Sequence, residues 1–250
     1  MARQKGIMKL EGTIGGITFY KTSLDGHLAK EKGGVDGARI ANDPAFIRTR
    51  ENGEEFGAAG LAGKQLRDAI RSLMMTASDS RVTSRLTQVM TEIVKQDVTS
   101  VRGKRTPAIG LATVPGKALL KGFNFNLNAV LGAILFKPFT LVPATGVTTI
   151  NGIIPVNDIA FPAGATHMTL SGAYANVNFA TGIADVKLTN AVNAPISSAL
   201  VNAVLTPTAV PVGTGIKLYL LRIEFFQQVN AVQYSLKNGA YNALAIIEVA

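Results

Sequence analysis

The sequence predicts an α+β chain in which an N-terminal β-ribbon and a helical hairpin precede an antiparallel β-sandwich or barrel-like domain. Three observations predict it. Short apolar runs broken by glycines fill residues 5–34; apolar positions recur at steps of three and four between Asp43 and Asp97; and period-two alternation with turn residues dominates from Phe123 onward. Charge divides the chain in the same way. Residues 1–106 hold 18 Lys and Arg and 12 Asp and Glu, whereas the 144 residues from Pro107 hold 7 and 4. The expected organisation is a basic β-ribbon plus helical hairpin over 1–106, a linker over 107–121, and a charge-poor antiparallel β domain over 122–250. At 250 residues and 47% hydrophobic, the chain has enough apolar side chains for a core.

Each element has a local reason. Ile14, Ile17 and Phe19 lie among Gly12, Gly15 and Gly16, and Asp25-Gly26 is a tight hairpin signal, so residues 5–34 read as a small ribbon. A ribbon this small is marginal by itself and is expected to dock on its own later domain or on another copy. Asp43 can accept a backbone N–H at a helix start, and Pro44 suits the first position because its missing N–H has no partner there. Phe56, Ala59, Gly60, Gly63, Leu66, Ile70, Leu73 and Met74 then share one helical face. Gly53, Gly57, Gly60 and Gly63 each weaken an isolated helix by up to ~1 kcal/mol relative to alanine, so close approach of another element is expected there.

Ser78-Asp79-Ser80 breaks the pattern, and Val82, Leu86, Val89, Met90 and Ile93 define a second amphipathic helix, ending near Asp97. Arg102 to Arg105 followed by Pro107, Gly110, Pro115 and Gly116 reads as the boundary. Beyond it, 123–128, 168–170 and 177–179 alternate as strands do. Thr181-Gly182 and Asn238-Gly239 supply turn residues, and 216–229 and 243–249 are the expected central strands.

The chemistry that can be excluded narrows the function. There is no cysteine, and the two histidines, His27 and His167, have no partner at metal-ligand spacing, so thiol chemistry and zinc sites drop out. His27 is expected to be exposed beside its turn, and His167 to cap or end a strand. No phosphate-loop or nucleophile-elbow motif occurs, and no cofactor is implied. Asp158, Asp185, Glu224 and Glu248 are the only carboxylates of the β part, which leaves sugar hydrolysis without support. Arg3, Lys5 and Lys9 lead into Glu11 and glycines instead of an apolar run, so no signal peptide is read. The apolar run 129–136 is under half of the ~20 residues needed to span a bilayer. The chain is thus expected to be cytoplasmic at synthesis, and to end in a virion or other assembled particle.

The basic residues form the candidate contact set. Lys64, Arg67 and Arg71 lie in a row, Arg81 and Arg85 sit on the partner helix, and Arg102, Lys104 and Arg105 cluster at the boundary. They suit either phosphates or another subunit, or a solvated face partly paired with Asp68 and Glu92. A surface of Asn, Thr, Ser, Gly and Ala carries little like-charge repulsion, so copies of the β domain can approach closely. The expectation is a non-enzymatic, self-assembling structural protein, a virion component or filament subunit. Sequence-nonspecific nucleic-acid packaging by the basic first third is the alternative, and a carbohydrate-active enzyme the third.

Two sets of segments bear on origin. Gly15 to Lys21 and Asp43 to Asn52 near the start, with 162–167, 224–230 and 234–244 in the second half, resemble a group of uncharacterised proteins from Bacteroidota and their mobile elements. The resemblance spans nearly the whole chain. It implies a bacterial or phage origin and supplies no catalytic residue.

Overall fold

The computed structural model describes residues 2–237 and 239–250. The chain falls into two units, Met1–Arg50 and Glu51–Ala250. The first holds a four-stranded antiparallel sheet: β1 (Ala2–Arg3), β2 (Gly12–Ile14), β3 (Ile17–Thr22) and β4 (Gly26–Glu31), in the order β1-β4-β3-β2. Ile14 pairs with Ile17 across Gly15-Gly16, and Gly15 takes the positive φ (59°) that such a turn demands. The Asp25-Gly26 turn joins β3 to β4 as expected, with Gly26 at φ 71° and the Asp25 N–H donating to Thr22 Oγ1. His27 is half-buried, not exposed, its Nδ1 3.8 Å from Glu11 Oε1. A short helix α1 (Gly37–Asn42) is capped by Asp36. Asp43 accepts the Ala45 N–H and Pro44 opens a 3-10 turn, as the sequence predicts. In this whole unit Leu28 is the single buried hydrophobic residue among those described.

The division falls within α2 (Ile47–Ala69), and the rest of that helix belongs to the second unit. α2 breaks at Ile70, α3 (Arg71–Met74) adds one turn, and α4 (Val82–Val94) returns antiparallel. Ala59, Ala62, Leu66, Ile70, Leu73, Val82, Leu86, Met90 and Ile93 are buried together. Phe56 departs from its predicted face and is 62% exposed.

The expected linker at 107–121 is not where the chain divides. It carries α5 (Pro107–Gly110) and α6 (Val114–Leu120), capped by Thr106 and Thr113 with proline in each first turn. Its glycines serve packing: a Cβ on Gly110 would sit 2.1 Å from the Ile93 carbonyl oxygen, and one on Gly116 2.0 Å from that of Gly110. Leu111 and Leu120 join the same core as α2 and α4.

The α+β reading holds. After a single-turn α7 (Leu131–Ile134) come β5 (Thr140–Val142), β6 (Val147–Ile153), a turn of helix α8 (Pro155–Asp158), β7 (His167–Val177), β8 (Ala184–Leu188), β9 (Val192–Pro195), β10 (Val201–Leu205), β11 (Ile216–Val229), β12 (Val232–Ser235) and β13 (Ala243–Val249). β11 and β7 pair along 216–226 and 167–177. β13 and β12 share the far edge of β11, and β8 and β9 share the far edge of β7. Residues 216–229 and 243–249 are strands as predicted, although β13 pairs with β11 alone among the named strands. The alternating 123–128 segment makes one isolated bridge, Asn124 to Ala245, instead of a strand; Phe123 and Phe125 plug the core beside it. Gly182 takes φ 77° in its predicted turn, and Asn238 lies outside the described residues.

Pairing register sorts the core into two layers. Ala173, Ala175 and Val177, opposite Leu220, Leu218 and Ile216, face the helices. Met168, Leu170 and Tyr174, with Phe225, Ile223 and Tyr219, face a three-stranded sheet in the order β10-β6-β5, whose Ile150, Ile153, Ala203 and Leu205 complete the second core. Tyr174 and Tyr219 stack at 4.5 Å, and both hydroxyls donate to the Pro143 carbonyl. Burial and the neighbouring Tyr174 push the Tyr219 phenol far above its ordinary range.

Candidate functional site

Most of the basic residues marked by the sequence are already engaged inside the second unit. Glu51, Glu54 and Glu55 lie at steps of three and four on α2, and the 102–105 segment folds against them. Arg102 Nε is 3.4 Å from Glu51, Lys104 Nζ 2.8 Å from Glu54, and Arg105 Nε 3.7 Å from Glu55, while the Gly103 N–H donates to Glu55 at 2.8 Å. Gly103 has φ 87°, and a Cβ there would press to 2.9 Å from Glu51 Cγ. The basic cluster is therefore the clasp between α2 and the loop before α5.

Arg85 has an equally internal task. It pairs with Asp79, donates to the carbonyls of Asn124 and Phe125, and lies 5.1 Å from the centre of the Phe123 ring. Asp79 in turn accepts the N–H groups of Arg81 and Leu127, so this ion pair pins the 123–127 segment to the start of α4. Lys64 pairs with Asp68 one turn on, the partial pairing the sequence allowed, whereas Glu92 pairs with Lys95. Arg67 lies half-buried, its Nη1 out of solvent beside Gly63 without a hydrogen-bond partner. Arg71 and Arg81 present exposed side chains. Of the eight, Lys64, Arg85, Arg102, Lys104 and Arg105 are charge-compensated.

Among the described residues, the carboxylates of the β part are held in pairs with bases: Asp158 with Lys137, Asp185 with Lys187, Glu224 with Arg222, and Glu248 with Lys121. The Lys187 ammonium and the Val212 N–H hold Asp185 below the usual carboxylate range. Burial raises Glu248, but Lys121 and the Val249 N–H outweigh it and lower it overall. Both stay ionised at neutral pH, the wrong state for a general acid. Glu224 also accepts from Thr76, and Arg222 donates to Ser171 at 3.1 Å, which closes a satisfied polar network beneath the helices. Burial pulls the Arg222 guanidinium down while Glu224 pulls it back up. His167 opens β7 with its ring nitrogen 3.0 Å from Thr166 Oγ1, a strand-end role as expected. Among the described residues no cluster of His, Asp or Glu could hold a metal ion, and no helix is long and apolar enough to cross a membrane.

The candidate site is instead the outward face of the β10-β6-β5 sheet. Pleating sends Ile150, Ala203 and Leu205 inward and leaves Thr149, Val204 and Thr140 in one cross-strand row, with Val142 opposite Val147 in the next. Val142 is 51% and Val204 47% exposed. No ionisable residue occurs in 138–157 or 188–216, the stretches that supply these three strands and their nearest loops. Leu200, just before β10, is exposed as well. The β5 edge is only three residues long and lies between Pro138 and Pro143, which blunts edge-to-edge pairing, so the face and not the edge is the available surface. Composition had pointed to a charge-poor domain; which strands share the bare face required the register.

No known protein family, curated protein or solved structure matches the chain.

Proposed function

We propose that the chain is a non-enzymatic structural subunit that associates with copies of itself, as a virion component or filament subunit does. The observation that carries this reading is the outer sheet face, where Val142, Val147 and Val204 stand among threonines without a single charge from the strands or their nearest loops. Soluble surfaces ordinarily intersperse both signs of charge, and an exposed apolar patch without them marks a contact. The resemblance to proteins of Bacteroidota mobile elements favours a particle or filament as the assembled form.

The test is sedimentation velocity and negative-stain microscopy of the full chain, beside Val204→Glu. The substitution places a charge on the bare face at a solvent-exposed position of β10, so the thermal midpoint should hold while association falls away. A wild-type chain that stays a clean 26.3 kDa monomer at high micromolar concentration and physiological salt would sink the proposal.

A further inference from the structure

We propose that one end of the N-terminal sheet enters the surface of an anionic lipid bilayer, with Ile7, Met8 and Leu24 in the acyl boundary and Lys5, Lys9 and Lys21 among the headgroups. Pairing register brings these residues together. β1 runs antiparallel to β4 with Arg3 opposite Leu28, and the Gln4 N–H donates to the His27 carbonyl, so the chain leaves β1 at the end of the sheet where the 23–25 turn joins β3 to β4. The 5–11 loop and that turn therefore lie at the same end, and the Arg3–Asp25 ion pair, at 2.8 Å, ties the turn to β1. The loop is closed at its base. The Gln4 side chain donates to the Leu10 carbonyl at 3.2 Å and accepts the Leu10 N–H at 2.8 Å, while Lys9 Nζ donates to the Gln4 carbonyl. Ile7 and Leu24 are 104% and 94% exposed, more than any other large hydrophobic residue described, and Met8 is 82% exposed. Single exposed apolar side chains are ordinary, but three bared together at the loop tips of one small sheet mark a contact.

Charge selects the occupant. Residues 2–11 and 20–27 hold Arg3, Lys5, Lys9 and Lys21 against Glu11 and Asp25. Arg3 engages Asp25 and Glu11 lies 3.8 Å from His27, whereas Lys5, Lys9 and Lys21 pair with no acid among the described residues. Lysines on both sides of bare aliphatic residues, as in Lys5-Gly6-Ile7-Met8-Lys9, suit a bilayer interface. Hydrocarbon takes the apolar tips, the long lysine stems reach back to the phosphates, and the two attractions together hold what neither holds alone. Nucleic acid would satisfy the lysines and leave Ile7, Met8 and Leu24 in water. The contact is separate from the outer β10-β6-β5 face and is available to a single chain or to an assembly.

The chain has no tryptophan, so Ile7→Trp and Leu24→Trp each place one indole at a tip, and Val98→Trp, at an exposed site of the second unit, is the control. With vesicles of phosphatidylcholine containing about a third phosphatidylglycerol, emission from both tip variants should shift to the blue and be quenched by brominated acyl chains, while the control stays unchanged. The wild-type chain should float with these vesicles and not with pure phosphatidylcholine, and should be released as salt rises. Lys5→Gln with Lys21→Gln should weaken binding roughly 25-fold, about fivefold for each lysine. Ile7→Ser with Met8→Ser should weaken it about tenfold or more, and neither variant should move the thermal midpoint. Tip emission unmoved by anionic vesicles would overturn the proposal, and so would equal binding to neutral vesicles or binding kept in full by the serine variant. Salt-sensitive binding of labelled duplex DNA that is lost with the two lysines, beside unmoved tip emission, would assign the lysines to nucleic acid and overturn it as well.

Discussion

Residues 2–50 and residues 51–250 both form regular hydrogen-bonded elements, yet they are held by different means. The first unit has four paired strands, two turns with glycine at positive φ, a capped helix and an exposed Arg3–Asp25 ion pair, but one buried hydrophobic side chain. The second buries both faces of its central sheet, one under α2, α4 and α6, the other under β5, β6 and β10. Backbone hydrogen bonds contribute about 1 kcal/mol net each and set geometry, whereas removal of apolar surface from water supplies most of the stability. The contrast teaches that an ordered sheet and a stable one are separate properties: the strand ladder gives the first unit its shape, and the cores give the second its strength.

Core truncation is the strongest way to test that contrast. Leu221 is fully buried in β11, and Leu221→Ala should cost about 2–5 kcal/mol in urea unfolding of the full chain. Leu28→Ala should leave the main unfolding midpoint where it is and speed amide exchange in residues 2–31 alone. Equal shifts from the two variants would break the comparison. The next effect concerns backbone contact: Gly110→Ala would drive a methyl group into the Ile93 carbonyl, and a loss of about 1–3 kcal/mol in thermal melting is expected.

Asp97 sharpens the same point with a polar group. It is buried, and its carboxylate accepts N–H bonds from Thr99, Ser100 and Thr106. Burial raises its pKa, but those donors and the Ser100 and Thr99 hydroxyls prevail and hold it at about 2. Because the folded value lies below the ordinary 3.8, the stabilisation is complete above about pH 4 and is lost as pH falls toward 2. Asp97→Asn should therefore cost about 2 kcal/mol at neutral pH, with the gap to wild type closing across that acid window. The smallest effect belongs to the clasp: Lys104 and Glu54 are 71% and 53% exposed, and a double-mutant cycle should give at most about 1 kcal/mol, shrinking with salt.

Strands buried on both faces were the most legible part of the fold. The long apolar runs at 216–229 and 243–249 need no alternation, because helices cover one side and a second sheet the other. Alternation misled at 123–128, where Phe123 and Phe125 point inward from a segment that makes one bridge. Proline and glycine misled at 107–121. There Pro107 and Pro115 open helices, and Gly110 and Gly116 permit backbone contacts, so residues that punctuate a linker here mark dense packing. The Arg102 to Arg105 cluster looked outward-facing because its acids lie some 50 positions earlier. The spacing of Glu51, Glu54 and Glu55 on one helical face was the available clue.

The Tyr174–Tyr219 stack also makes the molecule report on itself. The chain has five tyrosines and no tryptophan, so ultraviolet emission comes from phenols without an indole acceptor to quench or mask them. Two of the five are sealed between the sheets with their hydroxyls on one carbonyl, while Tyr234 stands in the open on β12. Parting of the two sheets would free both hydroxyls at once, giving a built-in optical signal for the inter-sheet core with no label attached.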